Sequence, residues 1–166
     1  MREEMDCMKK QALFCDGTAS YVIPQEPQEN ETVILRFRTA KDDKVRVRLM
    51  TAVGGYDMEK ESTSGEFDYY MIKWRLNEEP FRYCFEIRDD DTTCYYNRCG
   101  VAKEIVEFYD FVIVPGFSTP DWAKGAVMYQ IFTDRFYNGD KTNDVETNEY
   151  YYIGGYSQKV TDWDKY

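Results

Sequence analysis

The sequence predicts an all-β fold: an antiparallel two-sheet sandwich over residues 1–116, then a linker and one further strand within residues 117–166. Three observations point there. Short runs in which apolar and polar residues alternate recur from Ala12 to Val114. Aromatic residues make up 17% of the chain, led by Tyr (15) and Phe (10), and such side chains suit pleated, half-buried strands. No segment sustains the apolar period of about 3.6 residues that a surface helix would show.

Each element follows from its own residues. Thr32 to Arg38 alternates, with Val33, Leu35 and Phe37 on one face. Lys44 to Leu49 repeats the pattern with Val45, Val47 and Leu49, and the intervening Ala40-Lys41-Asp42-Asp43 reads as a turn. In Phe67 to Leu76, the side chains of Tyr70, Ile72, Trp74 and Leu76 share a face. In Phe81 to Ile87, Phe81, Tyr83, Phe85 and Ile87 do so. Asp89-Asp90-Asp91 marks a turn, Thr92 to Tyr96 returns as a strand, and Glu107 to Val114 supplies the last one before Pro115-Gly116. Short strands with one apolar face each cover one another best as two packed sheets of immunoglobulin-like type. A lone sheet would leave too much apolar surface wet. Arg36, Arg38, Arg46 and Arg48 then fall on outward, solvated faces.

Composition narrows the functions open to such a fold. Apolar content of 43% supports a real core, so most of the chain is expected to be ordered. Lys and Arg number 21 against 31 Asp and Glu, a net charge of -10. That charge repels phosphate backbones and anionic bilayers, so no nucleic-acid and no membrane partner is expected. The cysteines Cys7, Cys15, Cys84, Cys94 and Cys99 are odd in number and irregular in spacing, which is a poor disulfide framework. Met1 to Asp6 lacks an apolar leader, and no run approaches the ~20 apolar residues that span a bilayer. The reading is a reduced, cytoplasmic protein, with a Cys94–Cys99 disulfide as the lesser alternative. The chain has no histidine. Ser-His-Asp and Cys-His catalysis are therefore excluded within these residues, and zinc lacks its usual nitrogen ligands.

The pattern changes after Pro115. Pro115 to Pro120 reads as a linker, with Thr119 as an N-cap, Pro120 at the first helical position and Gly125 as the stop of a single turn. Ala126 to Phe132 is a continuous apolar run, which suits a strand buried on both faces in a parallel sheet or barrel. Parallel neighbours for it are not encoded here, so the chain is expected to be the front of a longer protein. From Asn138 to Tyr166 little apolar periodicity is left, and the tail reads as a loop.

One stretch is more specific. Pro120-Asp121-Trp122-Ala123-Lys124, then Met128 to Phe136, then Asn138-Gly139-Asp140 and Asn143-Asp144, closely resemble the start of the catalytic (β/α)8 barrel in neopullulanase, cyclomaltodextrinase and maltogenic amylase of glycoside hydrolase family 13. The chain departs at Thr133 and Lys141, where that family prefers proline. Upstream, Arg36-Phe37-Arg38-Thr39, Phe67-Asp68-Tyr69-Tyr70, Phe81-Arg82-Tyr83 and Tyr95-Tyr96 resemble landmarks of the family's N-terminal sandwich, carbohydrate-binding module family 34. The resemblance implies an accessory domain of a retaining enzyme that cleaves α-glucosidic bonds in maltodextrin, cyclodextrin or pullulan. It implies an α-glucan oligosaccharide as ligand and a homodimer formed through the sandwich. The nucleophile and acid carboxylates of such enzymes lie on later barrel strands, so no catalytic residue is expected here. Neither Asp134 nor Asp140 is assigned one. The alternative is a stand-alone carbohydrate-binding or protein-interaction sandwich.

Two kinds of site residue follow. A pyranose offers both C–H and O–H surfaces, so it is bound by exposed aromatic faces with polar neighbours. Tyr56, in the turn-like Gly54-Gly55-Tyr56-Asp57, is the first candidate, and Tyr69, on the outward face of its strand, is the second. Trp74 shares the inward face and is expected in the core. Asn138, Asp140, Asn143 and Asp144 offer four side-chain oxygens close together, hard donors of the type that Ca2+ takes. In the resembling family these positions hold a structural calcium, completed from a downstream Gly-Gly-Asp. Here Gly154-Gly155 is followed by Tyr156, so the completing ligand is expected beyond Tyr166 and the site within this chain is expected to be incomplete.

Overall fold

The computed structural model describes residues 8–132, 136–159 and 161. The chain divides into two compact units, Met1–Pro120 and Asp121–Tyr166, so the break falls at the end of the linker segment.

The first unit is the expected sandwich. Its strands are β1 (Val22–Ile23), β2 (Thr32–Ala40), β3 (Arg46–Thr51), β4 (Gly54–Asp57), β5 (Glu59–Ser64), β6 (Phe67–Arg75), β7 (Phe81–Arg88), β8 (Thr93–Asn97), β9 (Gly100–Ala102) and β10 (Phe111–Ile113). One sheet has the order β1-β2-β6-β5 and the other β4-β3-β7-β8-β9, with β10 also paired to β7. Every pairing is antiparallel.

Alternation decides the core. Val33, Leu35 and Phe37 of one sheet are fully buried, as are Leu49, Phe85 and Ile87 of the other. Phe37 meets Phe85 across the gap at 4.6 Å between ring centroids and Tyr96 edge-on at 5.2 Å. The turn after β2 forms as expected, with Asp42 in the left-handed region (φ 62). Around the aspartate-rich turn after β7, Asp89 Oδ1 accepts from the N–H of Asp91 at 3.0 Å and of Thr92 at 2.6 Å.

Three expectations change. Glu107–Tyr109 forms a 3₁₀ turn, closed by Tyr109 N–H to Val106 O at 2.8 Å, so only Phe111–Ile113 is left to pair. Gly54–Asp57 is a strand and not a turn. The outward arginines are paired as well as solvated. Arg36 holds Glu61 with two bonds of 2.7 Å, Arg46 holds Asp57 with two of 2.6 Å, and Arg48 reaches Glu86 at 3.0 Å. Arg38 lies over the Phe67 ring at 4.1 Å and the Phe14 ring at 4.7 Å.

In the second unit Asp121–Ala123 forms one 3₁₀ turn and Gly125 follows at φ +74. The turn begins after Pro120, so Thr119 is not its cap; its N–H bonds instead to Glu26 Oε1 at 3.1 Å. Residues 126–132 join no strand, and Val127 and Met128 are 97% and 86% exposed. An extended segment becomes a strand only when neighbours accept its backbone bonds, and none do so among the described residues. Thr133, Asp134 and Arg135 lie outside the described residues, as do Met1 to Cys7. The tail, read as loop, contains a 3₁₀ turn at Lys141–Asn143 and a hairpin of β11 (Tyr151–Tyr152) and β12 (Gly155–Tyr156). No helix among the described residues is long and apolar enough to cross a membrane.

Two buried carboxylates separate cleanly. Asp68, 1% exposed, accepts from Lys60 Nζ at 2.7 Å, Thr63 Oγ1 at 2.6 Å and the Asp42 N–H at 3.0 Å. Burial pushes its pKa up, but these three donors outweigh burial and hold it below the ordinary aspartate value. Asp110, 8% exposed, has an Oδ1 with no hydrogen-bond partner. Burial, helped by the Glu107 charge, pushes its pKa up. Stability from Asp68 is present above the unfolded pKa of ~3.9 and lost as pH falls through the lower folded value; for Asp110 it is present below that pKa and lost as pH rises through the higher folded value. Asp68→Asn should therefore cost about 2 kcal/mol at pH 7, whereas Asp110→Asn should gain about 1 kcal/mol. Both differences should shrink as pH is lowered through 4, which urea unfolding across pH would show.

Candidate functional site

Tyr56 owes its position to register. It pairs with Leu49, whose side chain is fully buried, so both point between the sheets. At the edge of the sandwich the Tyr56 ring meets Trp74 of the opposite sheet edge-on, 4.7 Å away. Trp74 stacks on Phe81 at 5.2 Å, Phe81 on Tyr83 at 5.4 Å, and Tyr83 on Phe111 at 5.4 Å. The result is an aromatic ladder with its foot in the core at Tyr83, 1% exposed, and its outer rung at Tyr56, 37% exposed. Trp74 and Phe81 are half-buried, so Trp74 belongs to the ladder and is not sealed in the core.

The backbone before Tyr56 needs its glycines. Gly54 has φ +146, a region that side chains disfavour. A Cβ on Gly55 would lie 2.6 Å from both Arg48 Nη2 and Met50 Sδ. Without it, Arg48 reaches across the strand and donates to Gly55 O at 3.0 Å. Asp57, next along, is held by Arg46, whose hydrogen bonds lower its pKa. An exposed aromatic face can take the C–H face of a sugar, while Asp57 and Arg48, paired in register, belong to the opposite face of this sheet.

Tyr69 does not join this arrangement. Its Cα partners are Arg38 and Ser62, on the outward face of the sheet, and it is half-buried there. The two tyrosines named from sequence therefore belong to opposite faces of their sheets. The sequence placed Phe81 on an apolar face but not beside Trp74, because that contact depends on the sandwich closing.

The second-unit loop brings together part of the expected metal set. Asn138 Nδ2 donates to Asp144 Oδ1 at 2.5 Å. Asp140 Oδ1 is taken by the Thr142 N–H at 2.9 Å and Thr142 Oγ1 at 2.6 Å, and these bonds lower its pKa. Asn143 is exposed. Asp144 Oδ2 faces the Lys159 ammonium at 3.7 Å. The donor atoms have calcium's chemistry, but this arrangement does not fit the ion: one carboxylate caps its own turn and the other faces a positive charge. Among the described residues no three His, Cys, Asp or Glu side chains gather as a metal site. Cys15, Cys84, Cys94 and Cys99 are all free; Cys94 is buried and Cys99 exposed, so the alternative disulfide is absent. Burial pushes the Cys15 and Cys84 thiols up to about 12.

Comparison with known proteins adds a family. The family described as alpha amylase, N-terminal ig-like domain, matches residues 8–113. An amylopullulanase of Thermoanaerobacterium thermosulfurigenes is 39% identical over 69% of this chain and 7% of its own length. A cyclomaltodextrinase of Thermoanaerobacter pseudethanolicus is 32% identical over 84% of this chain and 26% of its own. Neopullulanase 2 of Thermoactinomyces vulgaris is 28% identical over 86% of this chain. A solved cyclomaltodextrinase superposes with a TM-score of 0.51 at 26% identity, covering 82% of this chain and 25% of that one. The chain thus spans 7% of the amylopullulanase and 26% of the cyclomaltodextrinase it matches.

The ladder assigns different costs to its rungs. Trp74→Ala removes a ring packed on both sides and should cost about 3 kcal/mol. Tyr56→Ala removes an outer ring and should cost about 1 kcal/mol, a difference that denaturant midpoints would resolve.

Proposed function

The chain belongs to the family of α-amylase N-terminal Ig-like domains, and on that footing we propose that it is the accessory domain of a glycoside hydrolase acting on maltodextrin, cyclodextrin or pullulan. The names of its relatives support the substrate class, and the shares of their lengths support a catalytic part outside these residues. No residue of this chain is assigned a catalytic role. Retaining hydrolysis needs a nucleophile and an acid about 5–5.5 Å apart, and Asp57, Glu61 and Glu86 are each committed to an arginine. The proposed role is contact with α-glucan, and the observation that carries it is the exposed Tyr56 ring at the head of the aromatic ladder. Self-association through the sandwich is a second role, supported by the exposed apolar side chains of Phe108 and Val112, 73% and 43% exposed. A cytoplasmic setting is supported by the free thiols of Cys15, Cys84, Cys94 and Cys99.

Titration with maltooligosaccharides and cyclodextrin, followed by calorimetry, tests the reading. Tyr56→Ala should weaken binding about five-fold, the worth of one aromatic contact. Tyr69→Ala, on the outward face of its sheet, should leave affinity unchanged. Equal affinity in the native chain and Tyr56→Ala would remove the ladder from the proposal. Sedimentation analysis of Phe108→Glu reports separately on self-association.

A further inference from the structure

The loop that gathers Asn138, Asp140 and Asp144 already contains a cation. Lys159 Nζ lies 2.9 Å from Glu146 Oε1 and 3.7 Å from Asp144 Oδ2. The root of its side chain is held by backbone. The β11–β12 hairpin returns the chain on itself, with Asn148 N–H to Ser157 O at 2.7 Å and Ser157 N–H to Tyr150 O at 2.8 Å. Two residues on, the Lys159 N–H bonds to Thr147 Oγ1 at 3.2 Å, which fixes the root of the side chain beside Glu146. The other oxygen of Asp144 is held by Asn138, and Asp140 is turned onto Thr142.

We propose that Lys159 is a built-in substitute for a divalent ion, so that the loop from Asn138 to Lys159 closes without calcium. The inference stands apart from the sugar-binding reading and does not depend on it. Two considerations carry it. The first is coordination. Ca2+ needs 6–8 oxygen ligands, whereas an ammonium has three donors, and Glu146 and Asp144 serve it here. The second is charge. A calcium ion entering beside Asp144 would meet the Lys159 charge, and that repulsion opposes its binding.

The probe is Tb3+, a calcium surrogate whose luminescence nearby tyrosines sensitise, titrated into the full chain and competed with Ca2+. The native chain should bind it weakly. Lys159→Met should raise its affinity about ten-fold, the effect expected from removing one like charge at this range. Amide exchange of residues 144–157 gives a second readout that does not rely on affinity. In the native chain it should be the same in EDTA and in millimolar Ca2+. In Lys159→Met it should be faster in EDTA and slowed again by Ca2+, while Lys159→Arg should behave as native. Native exchange that slows on adding Ca2+ overturns the proposal. So does a Lys159→Met chain that gains neither Tb3+ affinity nor calcium-dependent protection.

Discussion

The packing of Phe37 against Phe85 across the gap between sheets is the contact on which the rest of the first unit depends. Both rings are fully buried, and Val33, Leu35, Leu49 and Ile87 extend the same seam along their strands. Strand side chains alternate with a period of two, so committing these residues inward fixes the direction of every other residue on β2, β3 and β7. Arg36, Arg38, Arg46 and Arg48 are forced outward, where they find carboxylates or aromatic faces. Burying a large aromatic pair is worth several kcal/mol, far more than any one of the surface ion pairs that result. Charge pairing on the outer faces is therefore a consequence of the core and not its cause.

The same seam positions the candidate site. Tyr56 faces inward only because it is in register with Leu49, and Trp74 only because it shares a face with Tyr70. Their contact joins the sheets at an edge, where one ring is half-buried and the other open. A platform built this way is rigid because its foot is in the core, at Tyr83 and Phe111. Tyr56, packed on Trp74, is left with less rotamer freedom to lose in any further contact.

Legibility followed burial. The strands with one clean apolar face, β2, β3, β6, β7 and β8, could be read directly, since side-chain alternation reports the burial that makes them. The strands that could not be read are those held by backbone alone. In β5, Glu59 to Ser64 is exposed throughout and is a strand only because β6 supplies its bonds. β4 looked like a turn because glycines usually mean one; here Gly55 makes room for Arg48. Ala126 to Phe132 has the composition of a buried strand, and no strand among the described residues pairs with it. For the site, Tyr56 was visible as an exposed aromatic beside glycines, but its partnership with Trp74 and Phe81 needed the tertiary fold. Lys159 gave no local signal at all, because it meets Asp144 and Glu146 only after a hairpin returns it.

Charge finally bears on what the platform can bind. The chain carries a net -10, yet the rungs of the ladder, Tyr56, Trp74, Phe81 and Tyr83, are all uncharged. The nearest carboxylate in sequence, Asp57, is neutralised by Arg46 with Arg48 at 3.6 Å. A cationic ligand would find no free carboxylate at Asp57. The uncharged rings suit a neutral molecule with apolar faces, the character of the glucan proposed above. Arg48 and Asp57 do not intrude on the ladder because register turns them to the opposite face of the sheet from Tyr56 and Leu49.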